Sequence, residues 1–363
     1  METYHSIGLM SGSSLDGLDI AYCRFTLNDL RWSYSILHTE VVPYSSEWIH
    51  RLQHLPNATA LELSECNAEL GRYFGDAVKN FVAQHGVQNK VDVVASHGHT
   101  IFHFPEKHFT TQIGDAATLS VRCELPVVCD FRSADIAAGG QGTPIVPIGD
   151  WHFFREYAYC LNIGGIANIS RHTNRGMVAF DICSANQVLN RLAASLGQEY
   201  DAGGNLAATG QLHHELLNAL NALEYYQRAY PKSLDNSFSR QIIAPLLDAF
   251  SISAEDKLRT FTEHIALQVA AHIRMIAERE KFTSQPSTRM LCTGGGAFNH
   301  FLMQRIQFLS GLQVHVPDEQ TVKFKEALVI ALMGVLRLRG EANVLCTVTG
   351  AARDTVGGTV FYP

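Results

Sequence analysis

Apolar positions recur along this chain at two periods. Near the start they alternate: Ile7, Leu9 and Met10 read as one strand, and Leu18, Ile20 and Tyr22 as a returning strand with period two. The residues between, Ser11 to Gly17, are small and polar, so the pair predicts a β-hairpin and not a strand feeding a helix. Leu63, Leu70, Phe74, Ala77, Val78 and Phe81 fall at helical spacing, and a strand at 91–95 follows, ending in the loop SHGHTIFH. Further apolar strands at 126–129, 159–163 and 290–292 run into DFRSADIAAGGQGTPIVP, GGIAN and TGGGAFN. Apolar strands that end in loops of Gly, Asn, Asp, His or Arg, alternating with helices, predict an α/β architecture with ligands at the strand ends.

The later pattern predicts two more helices. One runs from about 262 to 280, with Thr260 and Glu263 at capping-box spacing and Ile265, Val269, Ile273 and Ile276 on one face. The other starts near 325, with Leu328, Ala331, Leu332 and Val335 in register. The glycine-rich segment 137–147, with two prolines, predicts a hinge or domain junction.

Composition narrows the class. With 363 residues, 46% hydrophobic and 17% charged, the chain buries a substantial core and is expected to divide into two domains. A net charge of -7 offers no basic surface for nucleic acid. The start METYHSIGLM lacks the basic and long apolar regions of a signal peptide, and no run approaches the roughly 20 apolar residues of a membrane span. A cytoplasmic location without a membrane partner is the expectation. The 8 cysteines form no C-x-x-C pair and several lie in apolar runs, so they read as reduced and mostly buried.

The polar loops carry the candidate chemistry. The turn 11–17 offers backbone N–H groups around Gly12 and Gly17, the hydroxyls of Ser11, Ser13 and Ser14, and Asp16 or Asp19 for a phosphate-bound Mg²⁺, although the same residues also suit an ordinary hairpin turn. Gly164 and Gly165, with Asn168 beyond, repeat that arrangement, and Gly294, Gly295 and Gly296 let backbone approach a ring or ribose closely. Three such loops without a Rossmann fingerprint or Walker motif point to a nucleotide. Asp181 closes the apolar segment MVAFD beside a polar SAN loop, where a general base belongs. Glu326 stands at the start of a helix, whose dipole favours the ionised form. Arg132, between Asp130 and Asp135, suits an anionic group or balances those acids. His97, His99 and His103 invite a zinc reading, but no H-E-x-x-H helix or carboxylate at metal spacing accompanies them, so a sugar-binding loop or satisfied loop histidines fit better. Ser13 and Ser14 lie in no G-x-S-x-G elbow, which argues against a serine hydrolase.

GLMSGSSLDGLDIA, SHGHTIFH, QIGDAA, DFRSADIAAGGQGTPIVP, LNIGGIANIS, PKS and TGGGAFN, in this order, resemble the anhydro-N-acetylmuramic acid kinase family over essentially the whole chain. The resemblance implies a two-domain actin-like ATPase, ribonuclease H-like in each half, with ATP in the interdomain cleft. It places the first domain at 1–135 plus about 341–363 and the second at 136–340. It implies ATP and Mg²⁺ as cofactors, an amino sugar as substrate, a homodimer, and a role in peptidoglycan recycling. The sugar's 1,6-anhydro bridge is opened with water while the γ-phosphate passes to the freed 6-oxygen, giving N-acetylmuramic acid 6-phosphate and ADP. By resemblance, Gly12, Ser13, Ser14, Leu15, Asp16, Gly17, Leu18 and Asp19 meet the phosphates, joined by Gly164, Gly165 and Asn168, and Gly294 to Gly296 line the nucleoside. Asp181 matches the base, and Arg132, Glu326 and His97 match the sugar side.

The chain also departs from that pattern. Where the family has D-T-G-P-G-N and a later Asp, it reads Asp181, Ile182, Cys183, Ser184, Ala185, Asn186 and then Asn190. His99 stands where Gln is usual, and Leu234 and Asp235 follow Pro231, Lys232 and Ser233 in place of Thr-Gly. These edits keep two other readings open: a kinase of another amino sugar on the same fold, and an ATP-binding sensor without phosphotransfer.

Overall fold

The computed structural model describes residues 1–363 apart from Ser13, Asn236 and Pro286. The alternating segment forms the hairpin its pattern predicts: β1 (Glu2–Ser11) pairs antiparallel with β2 (Gly17–Asn28), Ile7 opposite Tyr22 and Ser11 opposite Leu18. The chain divides into two compact units, Met1–Phe153 with Phe324–Pro363, and Phe154–Lys323.

In the first unit, β3 (Arg31–Pro43) continues the meander on β2, while β4 (Val93–Phe104) lies parallel to β1 and β6 (Val127–Cys129) parallel to β4. β5 (Phe109–Ile113) turns back on β4, and the C-terminal strand Thr359–Phe361 edges β6. One face of the sheet buries Ile7, Leu9, Leu18 and Ile20 against Leu70, Phe74, Val78 and Phe81. These come from the helix Ala60–His85, opened by the Thr59/Glu62 capping box and closed by Gly86 in the left-handed conformation. The other face packs Ala21, Cys23, Phe25 and Ala95 against Leu328, Leu332 and Val335 of the helix Glu319–Arg339. That helix lies directly on β1 at Gly8, where a Cβ would overlap the Ala327 carbonyl oxygen.

The second unit repeats the plan. β7 (Tyr159–Ile163), β8 (Ile166–Thr173) and β9 (Gly176–Ser184) form an antiparallel meander, and β10 (Arg289–Thr293) and β11 (Gln313–His315) add parallel to β7. The order β9-β8-β7-β10-β11 matches β3-β2-β1-β4-β6 in sequence and direction. An antiparallel meander followed by two parallel strands, occurring once in each unit, is the duplicated ribonuclease H-like α/β arrangement that the resemblance implies.

Several elements differ from the sequence reading. The helix expected from about 262 begins at Ala254, because Ser253 caps it by accepting from the Asp256 N–H, and Glu255 and Asp256 favour its first turn. Thr260 is buried inside that helix, and Glu263 pairs with Arg259 and Arg305 instead of capping. SHGHTIFH is strand, not loop: β4 runs on to Phe104 because β5 supplies an antiparallel partner, and Gly98, at φ +72°, bends it where a Cβ would fall 2.7 Å from the Ile113 oxygen. Segment 137–147 is tied within the first unit, with the Gly142 N–H on Asp135 Oδ2 (2.8 Å) and the Gln141 N–H on the Thr349 oxygen (2.9 Å). The unit boundaries accordingly lie at 153/154 and 323/324, not near 135 and 340. All the cysteines are free, most of them buried. Among the described residues no helix is long and apolar enough to cross a membrane.

The contact at Gly8 yields a test. Gly8→Ala drives a methyl group into the Ala327 carbonyl and is expected to lower the unfolding free energy by about 2–3 kcal/mol, read by urea titration. An unchanged midpoint contradicts this packing.

Candidate active site

The ends of β1, β4 and β6 bring the polar motifs of the first unit together. At the end of β1 the Ser11 hydroxyl is buried, 2.6 Å from Tyr44 Oη and 2.9 Å from His99 Nδ1, so it is engaged inside the fold. In the turn, Leu15 adopts φ +59° and donates its N–H to the Gly12 oxygen (3.3 Å), while the exposed Ser14 Oγ donates to Asp16 Oδ1 (2.6 Å). Ser13 lies outside the described residues. Gly17 is glycine because β3 packs on it, a Cβ there falling 2.5 Å from the Val42 oxygen, and Leu18 belongs to the core. Asp19, half-buried opposite Met10, has its carboxyl pushed up to about 7 by burial, then by the negative charges of Asp16 and Glu326.

Behind that turn stands a second polar group. Arg132 donates from Nε (3.0 Å) and Nη2 (2.8 Å) to His97 Nε2, and from Nη1 to the Gly142 oxygen (2.7 Å). His97 Nδ1 is 2.9 Å from the Gly98 oxygen, so the ring donates there and accepts from Arg132 as a neutral tautomer. Burial and the Arg132 charge hold its pKa down at about 3, and burial lowers Arg132 itself to about 10. Glu326 is not at a helix start: it lies well inside Glu319–Arg339, half-buried. Its carboxyl is pushed up by burial and by Asp16, with Lys325 and Arg132 opposing. Lys325 Nζ is engaged with Asp150 Oδ1 at 2.6 Å, both side chains buried. A pocket of about 260 Å³ opens beside His97, lined among others by Ser96, Gln112, Asp115, Asp130 and Ser133.

In the second unit the two glycine loops pack on each other. The Gly164 and Gly165 carbonyls accept from the N–H groups of Asn186 (3.1 Å) and Ala185 (2.8 Å). Gly294, at φ +79°, lies where a Cβ would come 2.7 Å from the Ile163 oxygen, and a Cβ on Gly296 would overlap Ile163. Gly295 is exposed, and a Cβ there would only touch Asn186 Nδ2 at 3.7 Å. A further glycine pair went unread in the sequence: Gly203 and Gly204 both have positive φ, and a Cβ on Gly204 would overlap Asn299, the last residue of TGGGAFN.

Asp181 is not at a strand end. It sits within β9, paired with Asn168 where β8 and β9 slip register, and the strand continues to Ser184. Its N–H donates to the Lys232 oxygen (3.2 Å), its carbonyl accepts from Tyr225 Oη (2.7 Å), and Oδ2 accepts from the Leu234 N–H (2.9 Å). Oδ1 takes no hydrogen bond among the described residues. Burial pushes this carboxyl up to about 6, with the Leu234 N–H opposing. A carboxylate with that value and one free oxygen suits proton abstraction near neutral pH. The sequence marks Leu234 only as a departure after the PKS motif and does not mark Tyr225 or His272 at all, because their contacts join residues distant in sequence. Asn190 lies on the exposed face of the helix Asn186–Ala194. Among the described residues no group of three or more His, Cys, Asp or Glu side chains is placed to hold a metal ion.

The family model described as anhydro-N-acetylmuramic acid kinase matches residues 4–363. The anhydro-N-acetylmuramic acid kinase of Vibrio vulnificus (strain YJ016) is 34% identical, covering 98% of this chain and 98% of its own length. That of Methylobacterium nodulans is 33% identical over 99% and 100%. Among solved structures, the activator of 2-hydroxyisocaproyl-CoA dehydratase from Clostridium difficile with bound ADPNP is similar at TM-score 0.41 and 14% identity, covering 91% of this chain and 94% of its own. Hexokinase from Schistosoma mansoni complexed with glucose is similar at TM-score 0.38 and 10% identity, covering 91% and 85%.

Asp19 gives a prediction with a defined sign. Its folded pKa, about 7, exceeds the ordinary 3.8, so the penalty for ionising it in the fold is complete above about pH 7, shrinks as pH falls from 7 towards 3.8 and is gone below that. In protein free of nucleotide and divalent cations, Asp19→Asn is expected to raise stability at pH 8 by an amount on the order of 2–4 kcal/mol, with the gain largely gone at pH 4. Equal melting temperatures of the two proteins at both pH values contradict the placement of Asp19.

Proposed function

The chain belongs to the anhydro-N-acetylmuramic acid kinase family, and from that premise we propose that it is an ATP-dependent kinase that opens the 1,6-anhydro ring of N-acetylmuramic acid with water and phosphorylates the 6-oxygen, producing N-acetylmuramic acid 6-phosphate and ADP in peptidoglycan recycling. The observation that carries the reading is Asp181: a half-buried carboxylate with a raised pKa, held by backbone and tyrosine hydrogen bonds and with one oxygen that takes no hydrogen bond among the described residues.

In this reading Asp181 takes a proton from water as its oxygen adds to the anomeric carbon. The bond from that carbon to the bridging oxygen breaks, and the freed 6-oxygen forms its bond to the γ-phosphorus as ADP leaves. Phosphorus takes the place of the acid that glycosidases use to protonate the leaving oxygen. Arg132, Glu326 and His97 hold the sugar. The Arg132 fork is fixed by His97 and the Gly142 carbonyl, which orients it for an anionic substituent. The turn Gly12 to Asp19 and the loop Gly164, Gly165 and Asn168 receive the phosphates, and Gly294 to Gly296 receive the nucleoside. Asp16 and Asp19 offer hard oxygen ligands that no cation offsets among the described residues, which fits Mg²⁺, whose charge would neutralise the phosphates. The protein works in the cytoplasm as a homodimer.

The edited loop supports the anhydro sugar over another amino sugar. Ile182, Cys183, Ser184 and Ala185 are all buried, so the replacements fill the interior of the unit. Leu234 in place of Thr contributes to Asp181 only a backbone N–H, which any residue except proline supplies.

Incubation of the purified protein with ATP, Mg²⁺ and the anhydro sugar is expected to give ADP and the sugar 6-phosphate, with no product from N-acetylmuramic acid or N-acetylglucosamine. Asp181→Asn is expected to lower kcat by about 10²–10⁴-fold while ATP binding, read by calorimetry, stays within a few-fold. Turnover of the non-anhydro sugars at equal rate, or near-normal turnover by Asp181→Asn, contradicts the reading.

A further inference from the structure

Asp181 is held almost entirely by one segment, residues 225–234. Tyr225 Oη binds its carbonyl, the Lys232 carbonyl binds its N–H, and the Leu234 N–H binds Oδ2. The segment is itself pinned from two directions. Tyr230 stacks on Phe180, the residue before Asp181, with ring centroids 4.9 Å apart and planes 4° from parallel, and Arg279 Nη1 donates to its carbonyl at 2.7 Å. Lys232 turns inward: Nζ donates to the Tyr225 oxygen (3.1 Å), lies 4.5 Å over the Tyr225 ring, and meets His272 Nε2 at 2.7 Å.

His272 is fully buried on the helix Ala254–Arg279, with Nδ1 2.7 Å from the Gln268 oxygen. Nδ1–H therefore donates to that carbonyl, and Nε2 presents a lone pair to the ammonium. Burial holds the ring's pKa at about 4, so this acceptor persists across neutral pH. The ionisable groups around Lys232 are His272 on the helix, Cys183 on β9 and Arg228 on the segment itself. Near Asp181 they are Tyr225 on the segment and Cys183 on the same strand.

We propose that Lys232 and His272 are positioning residues for Asp181: their bond fixes the strap 225–234, and the strap fixes the orientation and basicity of the carboxylate. The inference rests on Asp181 acting as the base. A half-buried ammonium on a buried imidazole is an uncommon way to anchor a loop, since partial burial lowers the Lys232 pKa to about 8. What the arrangement secures is the Leu234 N–H on Oδ2, the hydrogen bond that opposes the rise in the Asp181 pKa.

Lys232→Met and His272→Leu are expected to lower kcat on the order of tenfold to a hundredfold, with KM for ATP unchanged. The acidic limb of kcat, near pH 6 in the native protein, is expected to move upward in both as the Leu234 hydrogen bond loosens. His272→Gln, whose amide oxygen reaches the Nε2 position, is expected to restore rate and limb. Native rate and limb in Lys232→Met and His272→Leu overturn the proposal. So does a loss of rate that is uniform across pH. Should Lys232→Met or His272→Leu fail to fold by circular dichroism, His272→Gln and His272→Asn carry the test. The Asn amide falls short of Lys232, so equal kcat in the two overturns the proposal. Asp181→Asn separates the claims: if it retains turnover the base assignment fails, whereas an inactive Asp181→Asn beside unaffected Lys232 and His272 variants refutes the positioning alone.

Discussion

Three carboxylates, Asp19, Glu326 and Asp181, are held where ionisation is disfavoured. In each case burial is the largest cause. A fold selected for stability alone pairs such groups with cations or replaces them. Here Arg132 is partly spent on His97 and Lys325 on Asp150, and among the described residues the Asp181 carboxylate has a single backbone donor. Acids whose ionisation is disfavoured in this way are of the kind that proton abstraction uses. The surrounding packing supplies the free energy that keeps them there.

That packing comes from a duplicated fold. The same strand order occurs in each unit, and in each the polar residues gather at the ends of the meander and its parallel neighbours. Close backbone approach is the second ingredient. Gly8 lets the helix Glu319–Arg339 lie on β1, and Gly294 and Gly296 let the TGGGAFN loop lie on the end of β7. In each place a methyl group would meet backbone or a branched side chain, so glycine is required by the scaffold before any ligand is considered. The strap 225–234 is the third ingredient, because it orients Asp181 through backbone groups that tolerate changes of side chain.

The hairpin, β7 and the glycine loops were legible because their signals are local: a period of two, or consecutive small residues between apolar runs. The apolar spacing places the start of the helix Ala254–Arg279 too late because its first turn is polar and its buried face begins only at Leu258. Asp181 was read as a strand end because Ile182 and Cys183 break the alternation at the register slip, where pairing nevertheless continues. Glu326 looked like a helix start because the preceding turn carries Thr321, Lys323 and Lys325, whereas the helix begins at Glu319. The sequence shows the strap only as the PKS motif and the Leu234 departure; its hold on Asp181 is not legible there, since it joins residues 44 and 53 positions apart.

The departures from the family pattern fall where the structure absorbs them: the residues after Asp181 turn inward, Asn190 lies on an exposed helix face, and Leu234 contributes its backbone. The central claim is therefore about the Asp181 carboxyl itself. Isotope-edited infrared titration of protein carrying ¹³C-labelled aspartate, taken as the difference between the native protein and Asp181→Asn, reads that group directly. A midpoint near 6 is expected, and a midpoint at the ordinary aspartate value of 3.8 would contradict the account.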